Sequence, residues 1–307
     1  MLVLSDQQVR ELASPVEVIE ALRSAFNRDY SQTVRMPVRT SLELAEGVLL
    51  IMPAYDCEIR FVGVKTVTVT KAGGVEAKYE LIDPVSGQSL ALMQARRLTD
   101  VRTAATSALA TDLLARPDAR VLGIFGSGRQ AEAHLEVLPR VRKFERFLVC
   151  GSGRSDLTPF CDRMQRELGI NLEPLDAQTC AEQSDVICTC TTSPTPVFEG
   201  RWLRPGTHLN LVGAFQPHTR ECDDETVRVA RIVVDTYDGA MAEAGDILIP
   251  LHAGVITSDH IAADLHQIAS GKRQGRASSR DITLFKSLGC ALEDLVTAAL
   301  IYRKATA

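Results

Sequence analysis

The stretch VLGIFGSGRQA at residues 121–131 decides the fold of the second half of this chain. Its first five residues are apolar and predict a buried strand, and the pattern G-x-G-x-x-A follows at once and opens a helix. In this pattern Gly126 permits the tight turn, Gly128 lets the backbone approach a pyrophosphate, and the small Ala131 lets helix and strand pack closely. The helix start offers free N–H groups and a favourable dipole to an anion. A dinucleotide site is therefore predicted here in preference to a merely tight structural turn.

Strand and helix patterns alternate on the C-terminal side of this motif. Such alternation is typical of a doubly wound, mainly parallel sheet, which is the α/β class called Rossmann. The predicted strands are 121–125, 147–150, 186–189, 208–212 and 232–234, and helices are expected from about 130 and 157.

The N-terminal part has a different pattern, in which helices flank a run of strands. Ser14, Pro15 and Glu17 form the sequence of a capping box with proline at the first helical position, so a helix is predicted from there. A helix over 100–115, ended by Pro117, and a final amphipathic helix over 287–304 are also expected. The predicted strands are 38–44, 48–52, 62–69 and 77–93, the last interrupted by a turn at 83–87.

The composition limits the classes of function. The chain has 307 residues, enough for two domains, and its net charge of -5 provides no basic surface for nucleic acid. Its apolar runs are shorter than the ~20 residues of a membrane span, so we expect no membrane partner and a cytoplasmic protein. The eight cysteines form no CxxC pair and the six histidines show no metal spacing, so free thiols and no metal are expected.

The type of dinucleotide depends on the end of the second predicted strand. An NAD site usually has an acidic residue there for the ribose hydroxyls, but this chain has CGSGRS at 150–155. Ser152, Arg154 and Ser155 would suit a 2′-phosphate, so NADP(H) is favoured and NAD(H) stays possible. The alternative for Arg154 is a solvated loop cation.

Three cations have no neutralising partner that the sequence can identify: Arg39, Lys65 and Arg102. Arg102 is predicted in the first turn of the helix expected to begin near Asp100, where a cation opposes the helix dipole. A bound phosphate or substrate carboxylate would explain it. Taken singly, each of the three is more often a surface charge than a ligand, and sequence spacing alone does not bring them together.

These residues resemble the ornithine cyclodeaminase/mu-crystallin family over nearly the whole chain. Besides the loop at Gly126, the matches are MPVRT at 36–40, MPAY at 52–55, VKTV at 64–67, RTAATS at 102–107, NLVG at 210–213 and FKSLG at 285–289. The resemblance implies a homodimer. It also implies an α+β substrate and dimerisation domain of residues 1–112, completed by 289–307, and an inserted Rossmann NAD(P)-binding domain of residues 113–288.

The resemblance also implies roles for particular residues. Arg39, Lys65 and Arg102 would converge on a substrate carboxylate, Met52 would line the same site, and Lys65 would be the catalytic residue beside the reacting carbon–nitrogen bond. Two or three charge-assisted bonds of roughly 1.5–3 kcal/mol each would hold a small amino or imino acid. The predicted cofactor-binding residues are Gly126, Ser127, Gly128, Arg129, Gln130, Gly151, Ser152, Arg154, Ser155, Thr103, Thr191, Thr192, Val212, Gly213, Phe215 and Ser287.

Two departures from the family pattern bear on the reaction. The cyclodeaminase branch has an aspartate where this chain has Phe215 and a glutamate where it has Leu50. The hypothesis is therefore an NAD(P)-dependent oxidoreductase that reduces an imino or cyclic ketimino acid, such as a pyrroline or piperideine 2-carboxylate. The alternatives are a true ornithine cyclodeaminase, a non-catalytic NADPH-binding protein like the lens crystallins, and a Rossmann protein with unrelated chemistry.

Overall fold

The computed structural model describes residues 1–153 and 156–307. The chain divides into two compact units. The first unit contains Met1–Thr106 and Gly289–Ala307, and the second contains Ser107–Leu288. The division lies inside a continuous helix, between Thr106 and Ser107, whereas the sequence led us to expect it after residue 112.

The first unit is built on one mixed sheet with the strand order β1-β7-β6-β5-β4-β2, and β3 pairs with the first half of β4, residues 47–51. Strands β4 to β7 form an antiparallel meander, and β1 runs parallel to β7. The strands are β1 (Leu2–Leu4), β2 (Val34–Arg35), β3 (Thr40–Leu44), β4 (Gly47–Asp56), β5 (Phe61–Thr70), β6 (Val75–Ile82) and β7 (Ser89–Gln94), and the helices are α1 (Asp6–Leu12), α2 (Pro15–Asn27), the first part of α3 (Arg96–Leu114) and α11 (Ala291–Thr306).

Helix α11 covers one face of this sheet. It contacts β4, β5 and β6 on one side and α2 on another. The predicted apolar positions Leu292, Leu295 and Ala299 are buried, as are the adjacent acidic residues Glu293 and Asp294. A helix that buries two neighbouring carboxylates must bring them to cations, because an unpaired buried charge is very costly.

Helix α3 begins earlier than predicted, and helix α2 lacks the predicted cap. Helix α3 begins at Arg96 rather than near residue 100, because Asp6 accepts a hydrogen bond from the backbone N–H of Arg97 at 2.9 Å and caps the helix from a distant part of the chain. Helix α2 begins at Pro15 as predicted, but the Ser14 side chain makes no capping bond. The expected capping-box partner Glu17 instead forms an ion pair with Lys304 at 2.5 Å.

The second unit contains a parallel sheet with the strand order β10-β9-β8-β11-β12-β15-β13-β14. The predicted doubly wound Rossmann sheet is confirmed, although short strands such as β10, β14 and β15 were not predicted. The strands are β8 (Val121–Phe125), β9 (Arg146–Cys150), β10 (Leu172–Pro174), β11 (Val186–Thr189), β12 (His208–Leu211), β13 (Arg231–Val234), β14 (Ile261–Asp264) and β15 (Thr283–Lys286), and the helices are the rest of α3, α4 (Arg129–Val137), α5 (Thr158–Leu168), α6 (Ala177–Gln183), α7 (Asp224–Val229), α8 (Tyr237–Glu243), α9 (Gly245–His252) and α10 (Leu265–Ala269).

Among the described residues, every helix is too short or too polar to pass through a lipid bilayer. Within the same residues, His, Cys, Asp and Glu side chains do not gather in a group of three that could bind a metal ion. All eight cysteines are free thiols.

Candidate active site

The carboxyl edge of the parallel sheet collects most of the predicted cofactor residues. Gly126 follows β8, Gly151 follows β9, Val212 follows β12 and Ser287 follows β15, while Thr191 lies just beyond β11. Since these strands are parallel, their ends lie at one edge of the sheet. The strand order reverses direction between β8 and β11, which is where such sheets bind ligands.

The glycine-rich turn has the geometry that a pyrophosphate requires. Gly126 has a φ of 109°, and a Cβ there would lie 2.5 Å from the carbonyl oxygen of Cys190, so only glycine fits. Gly128 is the N-cap of α4, so no side chain at the N-cap position bonds to the first N–H groups of the helix. A Cβ at Gly128 would meet nothing within 4 Å, so internal packing does not require this glycine. An uncapped helix start with open space beside it fits an anionic ligand.

One buried carboxylate, which sequence analysis missed, ties the loops after β11 and β12 together. Glu221 accepts hydrogen bonds from the Thr191 backbone N–H at 2.8 Å and from the Gly213 N–H at 2.6 Å. A Cβ at Gly213 would lie 2.1 Å from the Thr191 carbonyl oxygen, so the two loops touch. Burial raises the pKa of Glu221, although the charge of Lys286 opposes that shift. Lys286 itself pairs with Asp246 at 2.9 Å.

Ser287 provides a second indication of a ligand at this edge. Its side chain is 2% exposed, and none of the described residues forms a hydrogen bond with its Oγ. A buried hydroxyl without a partner is unusual unless a ligand or water forms a hydrogen bond with it. The Phe215 ring, which follows the loop at Gly213, is 38% exposed.

The other predicted cofactor residues lie as follows. Ser127, Arg129 and Gln130 belong to the glycine-rich turn and the first turn of α4, and Ser152 and Thr192 follow β9 and β11. Thr103 lies on α3 in the first unit and is buried. Arg154 and Ser155 are outside the described residues.

The predicted catalytic lysine lies in the middle of the sheet of the first unit. Met52, Lys65 and Tyr79 are direct partners across β4, β5 and β6, so their side chains share one face. Lys65 is 1% exposed although it carries an ammonium group. Its Nζ lies 2.6 Å from Oδ2 of Asp294, which α11 carries over this face of the sheet.

The same carboxylate contacts the second predicted cation. Asp294 Oδ1 lies 2.9 Å from Arg102 Nε, and Glu293 Oε2 lies 2.7 Å from Arg102 Nη1. A Cβ at Gly289 would lie 2.1 Å from Arg102 Nη1, so the guanidinium group packs directly on this glycine. Arg102, Lys65, Asp294 and Glu293 therefore form one buried cluster of alternating charge.

This cluster corrects two sequence predictions. Arg102 is in the second turn of α3, because the helix begins at Arg96, so its charge is not placed at the helix start. Lys65 and Arg102 also have internal carboxylate partners, although none could be identified from the sequence. Glu293 and Asp294 are almost two hundred residues away along the chain. The available signal was a pair of adjacent acids in an otherwise apolar helical segment.

The charges of the cluster act on one another. Burial and the nearby Arg102 lower the pKa of Lys65 to about 8, and Asp294 opposes that shift. Arg39, in the segment just before β3, also lowers the pKa of Lys65, so its charge acts on the same group. Burial would lower the pKa of Arg102, but Asp294 and Glu293 raise it above its ordinary value. Lys65 can therefore hold a proton at neutral pH and release it at modest cost.

The whole chain is similar in sequence to known proteins. The sequence model described as the ornithine cyclodeaminase/mu-crystallin family matches residues 1–307. A Delta(1)-pyrroline-2-carboxylate reductase of Bacillus cereus is 34% identical over 318 aligned positions, which cover 99% of this chain and 97% of that protein. The ketimine reductase mu-crystallin of Mus musculus is 36% identical over 292 positions, which cover 92% of this chain and 90% of that protein.

A solved structure has the same fold throughout. The Delta(1)-pyrroline-2-carboxylate reductase of Thermococcus litoralis, in complex with NADH and L-proline, superposes with a TM-score of 0.96. It is 40% identical, and the superposition covers 100% of this chain and 98% of that one.

Proposed function

This chain belongs to the ornithine cyclodeaminase/mu-crystallin family, and we propose that it is a nicotinamide-dependent reductase of small imino or cyclic ketimino acids. Substrates of the pyrroline or piperideine 2-carboxylate type fit the proposal best. The second unit would bind the cofactor and the first unit would supply the substrate-binding side chains. Relatives named as pyrroline-2-carboxylate and ketimine reductases support this assignment.

The observation that carries the proposal is the state of Lys65. Its ammonium group is buried, it lies beside Arg102, and its pKa is about 8. A buried lysine with a pKa near neutral is suited to general acid catalysis, since the best catalytic pKa lies near the working pH. Arg39 and Arg102 would hold the substrate carboxylate, and Met52, the cross-strand partner of Lys65, would contact the substrate beside them.

The reaction converts a carbon–nitrogen double bond to a single bond. When bound, a reduced nicotinamide would supply the hydride for the new C–H bond. Lys65 supplies the proton that forms the new N–H bond, and a proton from solvent restores its ammonium group. Positioned proton transfer contributes about 10²–10⁴ in rate.

A direct assay separates this proposal from its alternatives. We expect oxidation of NADPH or NADH with Δ1-pyrroline-2-carboxylate or Δ1-piperideine-2-carboxylate, and no release of ammonia and proline from ornithine. Leu50, which is buried, and Phe215 stand where the cyclodeaminase branch has acids, so neither can serve an amino group. Ammonia release from ornithine would instead identify a cyclodeaminase. Cofactor binding without turnover of any imine, or of 2-oxo acids with ammonia or methylamine, would identify a binding protein.

We propose that NADPH is preferred over NADH. The support is the run CGSGRS at 150–155, in which serine hydroxyls and Arg154 replace the usual acidic residue. Replacing Arg154 with Ala should raise KM for NADPH by about 10–150-fold, the loss of one charge-assisted bond, and leave KM for NADH unchanged. Equal effects on both cofactors would contradict this preference.

We also propose a homodimer in the cytoplasm. Strand β3 is exposed along its whole length and carries the apolar residues Leu42 and Leu44, which favours a second copy of this chain as its cover. Eight free thiols are typical of a reducing compartment. Light scattering coupled to size exclusion would give twice the mass of 33.5 kDa for the dimer.

A further inference from the structure

Asp294 occupies a central place in the buried cluster, and neither the sequence motifs nor the proposed mechanism assigns it a role. Its two carboxylate oxygens contact two different cations, Lys65 Nζ through Oδ2 and Arg102 Nε through Oδ1. The side chain is fully buried, and α11 places it directly over the strand that carries Lys65. A single rigid group therefore sets the distance between the two cations.

We propose that Asp294 is the positioning residue of the reaction, which holds Lys65 and Arg102 in one fixed arrangement and keeps Lys65 protonated. This proposal rests on the proposed reductase function, because it assumes that Lys65 donates a proton. Asp294 acts through Lys65 and Arg102 and need not touch the substrate itself. Asp294 binds Nε of Arg102 from α11. A substrate carboxylate would therefore bind the side of the guanidinium group that faces away from Asp294.

The neighbours of Lys65 show why a carboxylate is required. Tyr79 faces it from β6, Arg102 from α3, Asp294 from α11, and the charge of Arg39 acts on it from the segment before β3. Met52, the partner from β4, is uncharged. Burial and both arginines favour a neutral lysine, and Asp294 is the group that favours the ammonium form. Burial and Asp294 also raise the pKa of Tyr79, so that phenol stays neutral and cannot replace the carboxylate.

Removing the charge of Asp294 should shift the pH dependence of kcat/KM. If protonated Lys65 is the acid, kcat/KM falls as pH rises through the pKa of Lys65, which is about 8. The change Asp294→Asn keeps the shape of the side chain and removes its charge, so the pKa of Lys65 falls further. We expect this basic limb to move to lower pH by about one to three units.

Glu293 supplies a matched control on the same helix. Its carboxylate contacts Arg102 at 2.7 Å, whereas the carboxylate that contacts Lys65 belongs to Asp294. The change Glu293→Gln should alter KM for the imine through Arg102 and leave the basic limb in place. The proposal would be overturned if the basic limb of kcat/KM lay at the same pH in the parent and in Asp294→Asn. It would also be overturned if Asp294→Asn and Glu293→Gln displaced this limb by the same amount.

A second variant covers the case in which Asp294→Asn does not fold. Asp294→Glu keeps the charge and displaces the cations, so the basic limb should stay near that of the parent while kcat falls at least tenfold. An unchanged kcat in Asp294→Glu would contradict the positioning role.

A stability measurement tests the same coupling without any turnover. The pKa of Lys65 is lower in the folded chain than its ordinary value of 10.5, so the unfolded chain binds more protons between about pH 8 and 10.5. The free energy of unfolding of the parent, relative to Lys65→Met, should therefore rise across that window. The corresponding difference in the free energy of unfolding, between Asp294→Asn and the double variant that also carries Lys65→Met, should begin to rise at lower pH. An identical window in both backgrounds refutes the coupling, whereas a parent that shows this window but reduces no imine refutes only the proposed function.

Discussion

Replacing Gly128 with Ala should abolish tight cofactor binding while leaving the apo fold intact. The added Cβ would have no neighbour within 4 Å and the φ of −90° is open to alanine, so no strain is introduced. Alanine is a poorer N-cap than glycine by about 0.5 kcal/mol, but it also reduces the entropy of the unfolded chain by about 0.4–1 kcal/mol. The free energy of unfolding without cofactor should therefore change by less than about 1 kcal/mol.

The effect on binding is much larger, because the open space beside Gly128 is where the pyrophosphate is expected to approach the backbone. Loss of one N–H bond to a charged phosphate costs about 1.5–3 kcal/mol, or about 10–150-fold in Kd. At a cofactor concentration of about 100 times the parent Kd, the stabilisation by ligand is about 2.7 kcal/mol. A 100-fold weaker variant would retain only about 0.4 kcal/mol of it.

Titration calorimetry with NADPH and NADH, together with thermal unfolding in the presence and absence of cofactor, measures both quantities. Gly126→Ala provides the contrast, because its positive φ and the contact of 2.5 Å to Cys190 should destabilise the apo protein by about 1–3 kcal/mol. If Gly128→Ala bound the cofactor as tightly as the parent, the assignment of this turn to the pyrophosphate would be wrong.

Three further substitutions test the sites separately. Lys65→Met should lower kcat by about 10²–10⁴-fold with cofactor affinity unchanged, and a variant that kept full turnover in steady-state assays would exclude Lys65 as the acid. Ser287→Ala should weaken cofactor binding by about 2–10-fold in calorimetry, since its buried Oγ has no partner among the described residues; unchanged affinity would mean that the hydroxyl meets no ligand atom. Tyr79→Phe removes a buried hydroxyl that likewise lacks a described partner, so urea unfolding should show a gain of about 1 kcal/mol, and a loss would reveal a missed contact.

The fold was predictable from the sequence where local patterns dominate. Strand Val186–Thr189 was predicted residue for residue, and the break at 83–87 separates β6 from β7 as expected. The start of α3 was not predictable, because its cap comes from Asp6, which lies far away in the sequence. Strand β15 was also missed: it has only four residues, Thr283–Lys286, and its place between β12 and β13 depends on partners that are distant in the sequence.

The candidate site was predictable only in part. The glycine-rich turn and the three cations could be found from motifs and from the resemblance to a family. The pairing of Lys65 and Arg102 with carboxylates could not, since the whole second unit separates Asp294 and Glu293 from both cations along the chain. Glu221 was missed because its function is to accept backbone N–H groups of two other loops, which leaves no mark in its own sequence neighbourhood.

The return of α11 to the first unit has a consequence for biosynthesis. Residues 107–288 leave the ribosome before Gly289–Ala307 do, which at ordinary translation speeds takes roughly 10–40 s. During that interval the nascent N-terminal sheet has an uncovered apolar face, and Lys65 and Arg102 have no counter-ions from α11. The second unit can complete its sheet first, so we expect it to finish folding before the first unit, although the first unit begins earlier in the chain.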